Sequence, residues 1–213
     1  MTKLELRTRE VGPSWKMNTF VLVCPATQQS VLIDPGAEAQ VLLDMLADSH
    51  PIGILVTHAH LDHISALDEV RARLDVPVMT HAESHLEPVQ PADRNLKHGD
   101  TLSVGQHAIR VYHAPGHTPG QICFALWDEG GEGDQRVIVG DTIFEGGPGR
   151  TRSAADFQTT LQTLRDLILP WSDEALCYPG HGPHFCLGDK RADIEAFLAK
   201  DHGDFCGDAT WDI

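Results

Sequence analysis

At 213 residues, 41% hydrophobic and 22% charged with a mean hydropathy of -0.20, the chain has the make-up of a soluble protein with one sizeable core, which excludes collagen-like, low-complexity and wholly disordered classes. Asp and Glu number 31 against 16 Lys and Arg, a formal charge of -15, so nucleic acid and anionic membrane surfaces are repelled. No apolar run approaches the ~20 residues of a membrane-spanning helix, and residues 1–7 lack the apolar stretch of a secretory signal.

Taken in chain order, residues 19–24 and 31–33 are short β-branched, apolar runs bounded by turn residues, and predict strands. Asp34-Pro35-Gly36 ends the second. Residues 38–47 carry Val41, Leu42, Met45 and Leu46 at helical spacing, and 52–56 are again a continuous apolar strand. A helix fits 64–74, with Ile64, Leu67, Val70 and Leu74 on one face. In the second half, 108–112, 122–127 and 137–139 predict strands, and the acidic, Gly-rich stretch 128–134 predicts a solvated hairpin loop. Ser153-x-x-Asp156 resembles a capping box opening a helix that turns Phe157, Leu161, Leu164 and Ile168 inward. A strand at 175–178 and a helix at 189–200 complete the pattern. No linker-like shift in composition divides it, so a single layered α/β domain is expected.

Five cysteines without a C-x-x-C pair suggest neither a disulfide framework nor a thiolate zinc site. Cys24, Cys123 and Cys177 lie in apolar strand-like runs and read as small buried hydrophobes. A reducing, cytoplasmic setting is expected.

The chemistry concentrates at His58-Ala59-His60-Leu61-Asp62-His63, an H-x-H-x-D-H pattern just past a buried strand. Four metal-competent side chains so close together converge only in a tight turn. They suit two dications, because one tetrahedral ion rarely takes four ligands from so short a segment. Three more strand ends present similar groups. Ala114-Pro115-Gly116-His117 and Tyr178-Pro179-Gly180-His181 each thrust a histidine off a strand, with Pro fixing φ and Gly supplying a turn that can take φ > 0. Val139-Gly140-Asp141 places a carboxylate at the end of a third.

This order of residues, with Asp34 ending an early strand, resembles the metallo-β-lactamase superfamily. Asn18-Thr19-Phe20, Val31 with Leu32-Ile33-Asp34-Pro35-Gly36, and the surroundings of His117, Asp141 and His181 resemble its glyoxalase II (hydroxyacylglutathione hydrolase) branch. The resemblance implies a four-layer αβ/βα sandwich, two mixed β-sheets flanked by helices; with only 32 residues after His181, one domain over 1–213 is expected, without the separate C-terminal substrate-binding domain of that branch. It implies that His58, His60 and His117 hold one metal, Asp62, His63 and His181 the other, that Asp141 bridges them, and that Asp34 braces the metal-binding loop. Two divalent ions, zinc first and iron or manganese as alternatives, would share a hydroxide of pKa about 7. Its attack on a carbonyl, with Asp62 orienting it, fits a small-molecule thioester, because a thiolate leaves without prior protonation. Glyoxalase II enzymes draw basic substrate contacts from a C-terminal helical segment. Here Arg150 and Arg152 are the candidates for an anionic substrate, and His184 is expected to reach the cleft. Gly149-Arg150-Thr151 also resembles the persulfide dioxygenase branch, in which His58, His117 and Asp141 would hold a single iron. A lactonase or phosphodiesterase on the same scaffold is a third reading.

Overall fold

The structure is a computed structural model describing residues 3–13, 16–127 and 135–213. The hairpin loop expected at 128–134 lies outside the described residues. The chain opens with three antiparallel strands, β1 (Glu5–Val11), β2 (Met17–Val23) and β3 (Gln29–Ile33). After α1 (Ala39–Asp44), β4 (His50–Leu55) pairs parallel with β3. Then α2 (Leu61–Ile64) and α3 (Leu67–Leu74) lead to β5 (Val78–His81) and β6 (Arg94–Leu96), both parallel additions. These six form one mixed sheet in the order β1-β2-β3-β4-β5-β6.

The second sheet begins with β7 (Thr101–Val104), β8 (His107–His113), β9 (Ile122–Trp127) and β10 (Arg136–Gly140), consecutive and antiparallel. The small ribbon β11 (Ile143–Phe144) with β12 (Gly147–Pro148) and the helix α4 (Ala154–Thr163) precede β13 (Leu176–Pro179), which pairs parallel with β10. β14 (Phe185–Cys186) and α5 (Leu187–Leu198) finish the fold, and the sheet order is β14-β13-β10-β9-β8-β7.

Three apolar clusters account for the layers. Phe20, Leu22, Ile33 and Leu55 of the first sheet meet Ile109, Val111, Phe124 and Ile138 of the second. Val21, Leu32, Ile54 and Val56 on the first sheet's other face pack on Leu42, Ile64, Leu67 and Val70 of the helices. Cys123, Val139 and Cys177 on the second sheet's outer face pack on Phe157, Leu161, Ile194 and Phe197. β2 is buried along its whole length because both faces are covered. The order helix, sheet, sheet, helix is the four-layer arrangement expected.

Several predicted elements shift for local reasons. The helix expected at 64–74 is two, α2 and α3, joined through Ser65 and Ala66. Ser153 caps α4 as expected: its Oγ accepts from Asp156 N at 3.1 Å and donates to Asp156 Oδ2 at 2.7 Å. Beyond Thr163 the helix widens into a π-helical turn, Leu164–Ile168, where Leu169 N donates to Leu164 O. All five cysteines are free, with Cys24, Cys123 and Cys177 buried. No helix among the described residues is long and apolar enough to cross a membrane.

Candidate metal centre

The candidate ligands lie where strands of both sheets end. β4 runs on into Thr57 and His58, the chain turns, and His60 becomes the residue before α2, whose first turn carries Asp62 and His63. His117 follows β8, Asp141 follows β10 and His181 follows β13. The sheets are joined here by Ile122 N donating to Thr57 O at 2.9 Å. The loop before His181 is held by Asn18, whose Nδ2 donates to Pro179 O (3.0 Å) and Gly182 O (2.8 Å).

Two donor sets result. His58 Nε2 lies 3.1 Å from His60 Nδ1, which lies 2.9 Å from His117 Nε2. Asp141 Oδ2 completes this set at 4.0 Å from His58 Nε2 and 3.6 Å from His117 Nε2. In the second set, His181 Nε2 is 3.1 Å and His63 Nε2 4.0 Å from Asp62 Oδ2. Asp141 stands between them, with Oδ1 3.4 Å from His63 Nε2 and Oδ2 3.6 Å from His181 Nε2.

The outer partners fix which nitrogen faces inward. His117 Nδ1 donates to Arg150 O (2.8 Å), His181 Nδ1 to Lys16 O (2.6 Å) and His63 Nδ1 to Asp34 Oδ2 (2.9 Å). His58 Nδ1 lies 3.0 Å from Thr57 Oγ1, which donates to Asp34 Oδ2 at 2.7 Å. With Nδ1 engaged on the outer side, each of these four rings turns its Nε2 toward the centre. Asp34 is fully buried, takes φ 54, and also accepts Thr57 N at 2.7 Å, so it braces the loop without facing the centre.

Both sets are competent to hold a divalent ion. The donors include two buried atoms, His63 Nε2 and Asp141 Oδ1, that make no well-formed hydrogen bond among the described residues and have only each other at 3.4 Å, and buried polar atoms so poorly satisfied are costly unless something else pairs with them. Gly180 shows how tightly the walls close: a Cβ there would lie 2.2 Å from Asp141 Oδ1 and 2.5 Å from His63 Cε1. The glycine is needed for close approach, since Gly116 and not Gly180 takes positive φ.

Electrostatics divides the sets. Burial lowers the pKa of His58 and His117, with neighbouring histidines adding to the effect, and brings His60 down to about 4. These imidazoles are neutral near pH 7, as ligation requires. Burial also disfavours charge on His63, but the Asp141 and Asp34 carboxylates outweigh it and raise it to about 10. His181 is raised too, because its bond to Asp62 and the charge of Asp141 overcome burial. That same bond lowers Asp62 to about 2. Burial alone would raise Asp141, yet His63 and the surrounding histidines bring it below the usual carboxylate value.

A cavity of about 1270 Å³ opens over the centre, lined by His60, Asp62, His117, Asp141 and His181. Arg150 and Arg152 line it as well, Arg152 Nη2 lying 3.3 Å from His60 Nε2. His184 is elsewhere. It stacks on Tyr178, with centroids 5.2 Å apart, and lines a separate cavity of about 420 Å³. The turn through Gly182 (φ 73) and Pro183 carries it away from His181.

Two features of the cavity escape sequence reasoning. Lys16 lines it, and its own carbonyl orients His181. Cys206, Gly207, Asp208, Ala209 and Thr210 line the cavity too. That segment is tied down by Thr151 N to Gly207 O (3.1 Å), Trp211 N to Gly146 O (3.1 Å) and Trp211 Nε1 to Glu145 O (2.9 Å). Asp208 Oδ2 stands 3.7 Å from Arg150 Nε.

A model of the metallo-beta-lactamase superfamily matches residues 15–181. A Bacillus subtilis protein called "Probable metallo-hydrolase YqgX" is 32% identical over 200 residues, covering 84% of this chain and 91% of its own. "Hydroxyacylglutathione hydrolase GloC" of Haemophilus influenzae is 27% identical over 192 residues, covering 80% and 88%. The crystal structure of the BLEG-1 B3 metallo-beta-lactamase superposes with a TM-score of 0.77 at 29% identity, covering 92% of this chain and all of that one. That of TTHA1623 in a di-iron-bound form gives 0.71 at 29% identity, covering 86% and 96%. With its two-sheet sandwich and the match over most of its length, the chain belongs to the metallo-β-lactamase superfamily, as a metal-dependent hydrolase.

Proposed function

We propose that the protein is a thioesterase of the glyoxalase II-like type, working on two divalent ions, of which zinc is the first choice. The observation that carries this reading is the pair of donor sets with Asp141 between them, beneath a cavity whose lining includes Lys16, Arg150 and Arg152. His58, His60, His117 and Asp141 would hold one ion, and Asp62, His63, His181 and Asp141 the other. Ions bound there supply Lewis-acid polarisation of a carbonyl oxygen and an acidified water at neutral pH. A relative named hydroxyacylglutathione hydrolase and a similar structure in a di-iron-bound form support the substrate class and the metal count, respectively.

The chain's own groups have definable parts. Asp62, ionised and facing the cavity, accepts a hydrogen bond from water and aims its oxygen at the carbonyl carbon. Leu61 and Phe144 give the cavity an apolar flank for the acyl portion. Lys16 on the His181 side, with Arg150 and Arg152 on the His117 side, attracts an anionic thiol portion into an otherwise acidic protein. Asp208 competes for Arg150 until a substrate anion displaces it.

Metal analysis of the native protein, with S-D-lactoylglutathione, acyl-CoA, a homoserine lactone and glutathione persulfide as substrates, tests the reading. Two ions per chain and thioester hydrolysis are expected, with both lost in the His60→Ala, Asp62→Ala double variant by at least about 10²-fold in rate. Survival of activity and metal in that variant overturns it, as does a single iron with oxygen uptake on the persulfide. Lys16→Met isolates the substrate contact, since the carbonyl that holds His181 remains. For an anionic thioester, KM should rise about tenfold, near 1.4 kcal/mol, at unchanged kcat. An equal rise for a neutral thioester removes Lys16 from substrate binding.

A further inference from the structure

A third set of ligand-competent side chains lies outside the cavity. His81 is the last residue of β5 in the first sheet, Glu83 follows two residues on, and His113 ends β8 in the second sheet. The two imidazoles lie parallel, with centroids 4.0 Å apart and planes 9° apart. Glu83 Oε2 is 3.8 Å from His81 Nδ1 and 3.9 Å from His113 Nε2. The backbone beneath is firmly placed: Ser84 N donates to His81 O (2.9 Å), and Ser84 Oγ donates across to Gly120 O (2.8 Å). At Gly120 a Cβ would lie 2.4 Å from Ser84 N, so the β5 loop and the 118–121 loop meet without a gap.

We propose that His81, Glu83 and His113 form a further binding site for a divalent ion, independent of the cavity. Two imidazoles and a carboxylate suit zinc, nickel or copper. Ligand atoms about 2.0–2.2 Å from such an ion lie roughly 3.0–3.6 Å from one another, so the observed spacings close by about half an ångström. The freedom for this resides in Glu83, the most exposed of the three, and in rotation of the stacked rings until their lone pairs converge. Two hydrogen bonds compete with the ion. Glu83 N donates to His81 Nδ1 over a long 3.3 Å, and His113 Nε2 donates to Pro119 O at 2.8 Å. Burial and the neighbouring His113 lower the His81 pKa, which keeps it neutral and ready to ligate near pH 7. Water would complete the coordination. The ion would pin the end of one sheet to the end of the other, so its binding stabilises the folded state by mass action.

The test uses zinc-loaded protein whose primary metal content has been measured. Further Zn²⁺ is added under equilibrium dialysis and calorimetric titration. Wild type should take up one more ion per chain, with a rise in Tm. The His81→Ala, His113→Ala double variant should take up none and show no rise, and Glu83→Gln, a change at an exposed side chain, should bind at least tenfold more weakly. Primary metal content and thioester hydrolysis should match wild type in every variant. The proposal fails if wild type binds no further ion, or if the variants bind it as wild type does.

Discussion

Asp34→Ala is expected to cost about 3–5 kcal/mol of folding stability, the range for stripping one partner from a buried charged network, and to weaken metal binding about 10–100-fold. The carboxylate sits fully buried at the end of β3 and satisfies Thr57 N, Thr57 Oγ1 and His63 Nδ1 together. Alanine leaves all three donors unpaired, and it must also adopt a left-handed φ of 54, which Asp and Asn tolerate better. Asp34→Asn separates the effects. Asparagine keeps the backbone conformation and an acceptor for Thr57 N, but it points an amide N–H₂ at two other donors. Its stability should fall between wild type and alanine, with metal affinity reduced nearly as far as by alanine. Urea unfolding and metal analysis on the same preparations check this, and an alanine variant with unchanged midpoint and metal content would remove Asp34 from its bracing role.

Asp141→Asn should lower thioester hydrolysis by about 10²-fold or more, equivalent to at least ~2.7 kcal/mol, and leave fewer than two ions per chain. Its carboxylate faces His58, His63, His117 and His181 at 3.4–4.0 Å and so stands between the two donor sets, shared by both in the proposed assignment. Metal-free protein gives a second readout. His63 has its pKa raised to about 10 in the fold, above the unfolded value near 6.5. The stability it contributes is therefore fully present below pH ~6.5 and is lost as pH rises through about 10. Asp141 is the foremost of the charges that raise it, so the pH dependence of the unfolding midpoint across that window should flatten in Asp141→Asn. A profile identical to wild type would mean that Asp141 and His63 are not coupled.

The donors were legible because strand ends and tight turns are local. His58, His117, Asp141 and His181 each stand within four residues of a strand end, so recognising β4, β8, β10 and β13 was enough to align these candidate ligands. Asp34 was legible for the same reason. The lining from residues 206–210 was not, because they have no periodicity and gain their place from Trp211 and Thr151, which contact residues far away in sequence. Lys16 precedes β2 with nothing in its neighbourhood to mark it, and it faces the cavity only because Asn18 draws the His181 loop onto that strand. His184 shows the opposite failure, since closeness in sequence to a ligand is undone by one turn through Gly182. The short strands β5, β6 and β7 have too few residues for their pattern to stand out.

The candidate ligands are interleaved along the chain. The set around His60 takes His58 and His60 from the first sheet's half and His117 and Asp141 from the second's; the set around Asp62 takes Asp62 and His63 from the first and His181 from the second. Neither half owns a complete set, so the centre is a seam rather than a pocket within one half. Sliding one sheet against the other would change the spacing of the candidate donors. With ions bound as proposed, occupancy of the seam would be linked to the registry of the two halves, because only folding brings the donors together.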